Sequence, residues 1–257
     1  MKIIIVLEKY GGFANRLFQS LHFHAFAIEN KILFFNPSML GLLRFDNRFF
    51  YFLDRLNNFF LKFVSKITFY LLKKNNYQIS FGNKSYIRFV RGWDYRVNKL
   101  TEKYYEKLKL IYKFKNNNEY KTSNFKKNYL EFTKKNRYKV VVHIRRGDYK
   151  KWNDGKYFFD DEFYRKAIYK LRKELINENI DSYIIGISDE KVNLKLGLDY
   201  IHKGSWKDDQ ILLQNCDLIV GPPSTFTLWS SYISRIPLIQ LTSIKDINLK
   251  NKKICRG

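Results

Sequence analysis

Val140-Val141-Val142-His143-Ile144-Arg145-Arg146-Gly147-Asp148-Tyr149 is the stretch that sets the fold. Three β-branched residues in a row leave no polar face, so they read as a strand buried on both sides in a parallel sheet. At its carboxyl end the chain places an imidazole, two guanidiniums, a turn glycine and a carboxylate. Open α/β sheets bind ligands just outside the carboxyl ends of their strands, and the guanidinium fork matches phosphate oxygens. The two arginines therefore point to a phosphorylated ligand that carries a leaving group. The competing reading is a surface turn with solvated charges, because short motifs arise by chance. Arg146-Gly147-Asp148 is also an adhesion tripeptide in form, but its place directly after a buried strand argues against that use.

Outward from this stretch the pattern repeats. Strands are predicted at 139–145, 182–188, 216–221 and 236–241, with a helix over 161–177 that carries Phe163, Ala167, Leu171 and Leu175 on one face. A second helix follows Ser224. Near the start, the apolar residues 2–8 read as a strand and lead to Gly11-Gly12. Leu17, Leu21, Ala25 and Ile28 then recur at helical spacing, and Ile32–Phe35 reads as the next strand, ending at Asn36-Pro37. Strand, glycine turn, helix, strand is the opening unit of a doubly wound sheet. Between the halves, the polar segment Lys113–Lys139 is a candidate linker, and two α/β domains are expected at 1–130 and 131–257. Residues 42–74 are dense in Phe, Tyr and Leu broken by charges. They read as amphipathic helices, packed on the N-terminal sheet or lying on an anionic bilayer.

Composition narrows the partners. A chain of 257 residues with 45% hydrophobic and 18% aromatic residues buries a sizeable core and is not disordered. Lys and Arg number 48 against 24 Asp and Glu, a formal charge of +24. That excess suits nucleic acid, an anionic membrane surface or phosphorylated substrates, on top of a Lys- and Asn-rich compositional bias. No nucleic-acid reader motif is present, which disfavours the first of these. The two cysteines, Cys216 and Cys255, lack metal-type spacing, and the expectation is a reduced compartment with no disulfide and no metal. The apolar start is too short for a secretory signal, and no apolar stretch is long enough to span a bilayer. A cytoplasmic location is expected, with peripheral association at the inner membrane face.

Three further stretches combine small or polar residues with strand-to-helix junctions: Gly11-Gly12-Phe13-Ala14-Asn15-Arg16, Ile187-Ser188-Asp189-Glu190 and Gly221-Pro222-Pro223-Ser224-Thr225-Phe226. In the last, a helix opening near Ser224 would turn free N–H groups and the positive end of its dipole toward an anion. An ordinary Ser or Thr cap is the plainer reading of the same residues. Asp160-Asp161-Glu162 reads as the acidic first turn of the helix that follows, rather than as metal ligands. Asp148 is either a general base or a turn residue, and Arg146 is placed to pair with a carboxylate and hold the loop.

These segments together resemble the α-1,2-fucosyltransferases, glycosyltransferase family 11, and the wider group with an H-x-R-R motif. H-I-R-R-G-D-Y at 143–149 is similar to the family signature, and G-G-F-A-N-R-L-F-Q-S at 11–20 to its N-terminal G-G-x-G-N-Q-x-F-Q-Y. I-S-D-E at 187–190 resembles F-S-D-D. D-D-Q-I-L-L-Q-N-C-D-L-I-V at 208–220, followed by P-S-T-F-T-L-W at 223–229, resembles D-x-x-L-M-x-x-C-x-x-x-I followed by N-S-T-F-S-W-W. The chain departs from those patterns at Ala14, Arg16, Pro223 and Leu228.

The resemblance implies an α/β, GT-B-like fold with two Rossmann-like domains, an acceptor-side one at 1–130 and a nucleotide-sugar-binding one at 131–257, facing a central cleft. It implies an inverting, metal-independent transferase that moves L-fucose from GDP-fucose to a surface glycan, at the 2-hydroxyl of galactose. A transferase of the same architecture using another nucleotide sugar is the nearest alternative. By position, Arg145 would contact the diphosphate and His143 would line the same donor site. Ser224, Thr225 and Phe226 would hold phosphate and nucleoside. Gly12 and Asn15 would face the nucleotide from the N-terminal half, and Asp189 would meet its guanine or ribose side. The partners implied are a GDP-sugar donor, an oligosaccharide or lipid-linked acceptor and an anionic membrane surface.

Overall fold

Val140, Val141, Val142 and Ile144 are all buried, and alternate residues face opposite sides of the same sheet. Val140, Val142 and Ile144 join a core with Tyr164, Ile168, Leu171 and Leu175. Val141 points the other way, to a core with Ile185, Ile187, Ile211, Leu212 and Ile219. Period-two alternation with apolar residues on both faces is what a parallel sheet covered by helices on both sides requires. Each such aliphatic side chain contributes roughly 1.5–3 kcal/mol when fully buried.

The computed structural model describes residues 2–6, 10–39, 87–90, 92–112, 132, 137–192 and 196–257. The aromatic-rich segment 42–74, nearly all of the expected linker Lys113–Lys139 and the expected boundary at 130/131 lie outside the described residues. The chain divides into two compact units, residues 1–113 with 256–257, and residues 114–255.

In the first unit, β1 (Ile3–Val6) lies between β2 (Leu33–Phe35) and β3 (Ile87–Val90), all parallel. Helix α1 (Phe13–Glu29) buries Leu17, Leu21 and Ala25 as its spacing predicted, while Ile28 stays half-buried. Phe23 and Ala27 of α1 pack on Ile4, Val6 and Val90. Two short helices unforeseen in the sequence, α2 (Asn98–Lys103) and α3 (Tyr105–Tyr112), follow β3. The Tyr112 hydroxyl lies 3.0 Å from Nδ1 of His24 in α1.

The second unit holds a five-stranded parallel sheet in the order β6 (Tyr200–Ile201), β5 (Ser182–Ser188), β4 (Tyr138–Ile144), β7 (Leu218–Gly221), β8 (Leu238–Gln240). Helix α4 (Asp161–Asn177) crosses from β4 to β5 over the predicted range. Its N-cap Asp160 accepts from the Phe163 N–H at 2.8 Å, so that acidic run starts a helix as expected. Helices α5 (Trp206–Leu213) and α6 (Thr225–Ser234) flank β7 in the chain. The strand order turns outward in both directions from β4 and β7. Their carboxyl ends form the topological switch point, where open α/β sheets bind ligands.

Candidate active site

Register decides which residues meet at the switch point. Ile144 pairs with Ser188 at the ends of β4 and β5, so Arg145 and Asp189 leave adjacent strands side by side. Arg145 Nη1 lies 3.2 Å from Asp189 Oδ2, and Nη2 lies 2.7 Å from Asp148 Oδ1. The guanidinium thus bridges two carboxylates. Of these, Asp189 is the better sheltered, its side chain 23% exposed against 63% for Asp148. Asp189 also accepts the Arg146 N–H at 3.0 Å. Gly147 leaves room for this, because a Cβ there would meet Asp189 Oδ2 at 2.6 Å.

Arg146 turns away from Arg145. Its Nη2 pairs with Asp161 in the first turn of α4, and its guanidinium carbon lies 5.8 Å from the Tyr164 ring centre. Tyr164 is fully buried and accepts the Arg145 N–H at 3.3 Å. Burial raises its phenol well above the usual range. Arg146 therefore ties the loop to α4, as its position suggested, and leaves Arg145 to face outward. Tyr164 and Asp161 carried no sign of this in the sequence, because their roles arise only from tertiary packing.

His143 is buried on β4, its ring 5.6 Å from that of Phe226. Burial first, and then the charge of Arg145, push its pKa down to about 3, so the imidazole is neutral at ordinary pH. Its Nδ1 is buried without a hydrogen-bond partner. Across the switch point Ser224 caps α6, its Oγ accepting the Phe226 N–H at 3.2 Å. Other first-turn N–H groups lack intrahelical acceptors, as at every helix start, and this end of α6 is suited to an anion. Tyr149 ties the two strand ends together. Its hydroxyl donates to the Pro223 carbonyl at 2.5 Å, and the Arg145 guanidinium lies 5.6 Å from its ring centre.

Asp209 adjoins this group in α5. Burial, then the charges of Asp208 and Asp189, push its pKa up to about 8. His202 Nε2 lies 3.9 Å from it, and burial lowers the pKa of that histidine. The doubled Asp208-Asp209 was the available signal for this carboxyl. Asp208 instead closes a capping box with Ser205.

The structure brings together His143, Arg145, Asp148, Asp189, Ser224 and Phe226, with Thr225 opening α6. Gly12 and Asn15 lie in the other unit, where Gly12 caps α1. There Gly11 has φ +54, and a Cβ on it would meet Asn15 Nδ2 at 2.5 Å, so the glycine lets Asn15 fold back on the turn. Among the described residues, no group of three or more His, Cys, Asp or Glu is placed to hold a metal ion. No described helix is long and apolar enough to cross a membrane.

Residues 74–253 match the sequence pattern of glycosyl transferase family 11. The chain belongs to that family. The α/β, GT-B-like fold is shared with solved fucosyltransferases. The α-1,6-fucosyltransferase NodZ soaked with GDP-fucose is 12% identical with a TM-score of 0.53, over 98% of this chain and 97% of that one. NodZ from Bradyrhizobium gives 0.51 at 12% identity over the same shares of the two chains. A mutant of Arabidopsis thaliana FUT1 in complex with GDP gives 0.53 at 13% identity, over 94% of this chain and 72% of that one. No curated protein sequence matches. The family 11 match covers the whole switch-point site, from Tyr138 to Leu241.

Proposed function

We propose that this family 11 protein is an inverting fucosyltransferase that moves L-fucose from GDP-fucose to the 2-hydroxyl of a galactose residue in a glycan. The observation that carries the reading is Arg145. Its guanidinium stands at the switch point, beside the opening of α6 and braced by Asp189. NodZ soaked with GDP-fucose and FUT1 in complex with GDP have the same fold, which supports a GDP-fucose donor.

The acceptor oxygen attacks the anomeric carbon on the face opposite the phosphate. The new glycosidic C–O bond forms as the fucosyl–phosphate bond breaks, and the electron pair leaves with GDP. Negative charge grows on the diphosphate, where Arg145 and the first-turn N–H groups of α6 are fixed to receive it. In this arrangement Arg145 is already shared between two carboxylates. A diphosphate that takes Nη2 displaces Asp148, the more exposed of the pair, while Asp189 keeps Nη1. Asp148 is then released as the general base for the acceptor proton. With the arginine supplying the cation, the transfer proceeds without a metal. The charge of +24 supports a cytoplasmic enzyme held at an anionic membrane that carries lipid-linked acceptors.

The test is a panel of nucleotide sugars with lactose and N-acetyllactosamine as acceptors and EDTA present. GDP release from GDP-fucose, with a product fucosylated at the galactose 2-hydroxyl, is the expected result. Turnover with another nucleotide sugar alone would overturn the donor, and a requirement for added metal would overturn the metal-free mechanism.

A further inference from the structure

The chain immediately after the catalytic loop does something unusual. Trp152 is 48% exposed, although an indole is among the side chains with most to gain from burial. Its backbone runs into Asn153, Asp154 and Gly155 with φ of 49°, 55° and 73°, three successive residues in the left-handed region. Non-glycine residues rarely adopt that conformation, and where they do so together the strain usually serves a site. Here it presents the ring outward.

The ring is tied to the active site. The Tyr149 ring centre lies 4.9 Å from that of Trp152, and Tyr157 lies 5.6 Å beyond, each tilted by about 30°. Tyr149 is the same residue that holds Arg145 against its face and donates to Pro223. The order Arg145, Tyr149, Trp152, Tyr157 is therefore a continuous row from the leaving-group cation to an exposed aromatic surface. Asn153, Asp154 and Lys156 around the ring are exposed and supply both donors and acceptors.

We propose that Trp152, backed by Tyr149 and Tyr157, is the acceptor subsite and stacks on the C–H face of a galacto-configured pyranose. An axial 4-hydroxyl leaves H3, H4 and H5 together on one face of the ring, an apolar patch that fits an aromatic plane. The equatorial hydroxyls around it then reach the polar rim. The proposal rests on the reading of Arg145 as the cation for the departing GDP, since that fixes which end of the row faces the donor. Nucleobase stacking is the competing use of an exposed indole, and the test separates the two.

Saturation-transfer NMR with methyl β-galactoside and calorimetry with GDP are measured on the full chain, on Trp152→Ala and on Trp152→Phe. The expected result is transfer to H3, H4 and H5 in the wild type, galactoside affinity at least ten-fold weaker in Trp152→Ala, and near wild-type affinity in Trp152→Phe. GDP affinity stays within two-fold throughout. Unchanged galactoside binding in Trp152→Ala, or none in the wild type, would overturn the subsite. A loss of GDP affinity in Trp152→Ala with galactoside binding intact would assign the ring to the donor base and overturn it too. GDP binding without galactoside binding would sink the subsite and leave the donor reading. Galactoside binding without GDP binding would sink the donor reading and keep the ring as a sugar site.

Discussion

Asp189 holds Arg145 from the neighbouring strand end, Oδ2 to Nη1 at 3.2 Å, while its Oδ1 accepts the Arg146 N–H at 3.0 Å. One carboxylate thus fixes both the side chain of the first arginine and the backbone of the second. The family resemblance implies that Asp189 meets the guanine or ribose side of the donor; the register of β4 against β5 also sets it beside Arg145. Replacing it with Asn keeps the shape and removes the charge that aims Arg145. Turnover of Asp189→Asn is expected to fall by about ten- to a hundred-fold, equivalent to roughly 1.4–2.7 kcal/mol of barrier. Steady-state kinetics with a folded variant checks it, and an unchanged kcat would show that Arg145 needs no brace.

Arg145→Lys keeps the charge and loses the fork. A single ammonium cannot hold Asp189 on one edge and present a second fixed N–H edge, first to Asp148 and then to a diphosphate. The loss of turnover expected is on the order of 10²- to 10³-fold, the scale of removing one preorganised donor to a developing anion. The melting temperature should move little, because the guanidinium is only partly buried. Recovery of wild-type turnover by lysine would refute the shared-fork geometry.

How much of this was legible in the sequence follows from what each residue depends on. Val140–Val142 and the helix Asp161–Asn177 could be read because their periodicity is local and their core contacts are dense. The His143 and Ser224 junctions were legible for the same reason, each marking a strand end. The two-residue strand Tyr200–Ile201 and the strand Ile87–Val90, with Arg88 inside it, were not. Short strands take their identity from the neighbour they pair with. Tyr164 under Arg145 and Asp161 on Arg146 depend on how α4 docks, which no spacing along the chain encodes. Trp152 gave no sign for a related reason: its exposure is a property of the folded turn.

Acid and base act on opposite groups. His22 and His24 are held down to about 4 and His143 to about 3, all mainly by burial. A depressed folded pKa means the unfolded chain binds protons first. The stability these histidines contribute is complete above about pH 6.5 and drains as pH falls toward 3. Asp209 is raised to about 8, so its contribution is complete below about pH 4 and drains as pH rises through 8. Asp209→Asn removes the second effect alone. Its melting temperature should exceed that of the wild type by about 5 °C at pH 8.5, with the gap closing at pH 5. A gap that is equal at both pH values would show that Asp209 is ionised throughout.

The last prediction sets two glycines of the same sheet against each other. A Cβ on Gly221 would meet His143 Cβ at 2.9 Å and the His143 carbonyl oxygen at 3.0 Å. Neither can swing aside, since one is backbone and the other is fixed to it. Gly221→Ala must therefore push the end of β7 away from β4, at the switch point where Arg145 and Ser224 are proposed to hold the donor. A Cβ on Gly186 would meet Leu198 Cδ1 at 2.5 Å, which is closer, yet that atom is the free end of a side chain and can rotate away. Overpacking of this kind costs about 1–3 kcal/mol where the neighbours cannot yield. Gly221→Ala should lower the melting temperature by several degrees and reduce turnover by more than ten-fold at temperatures where it remains folded. Gly186→Ala should show the smaller thermal shift and keep turnover within about two-fold, because Leu198 packs in the core beside α4 rather than at the switch point. Thermal melts and steady-state kinetics on the two variants decide it. Equal effects would mean that the separation of β4 and β7 does not control the site.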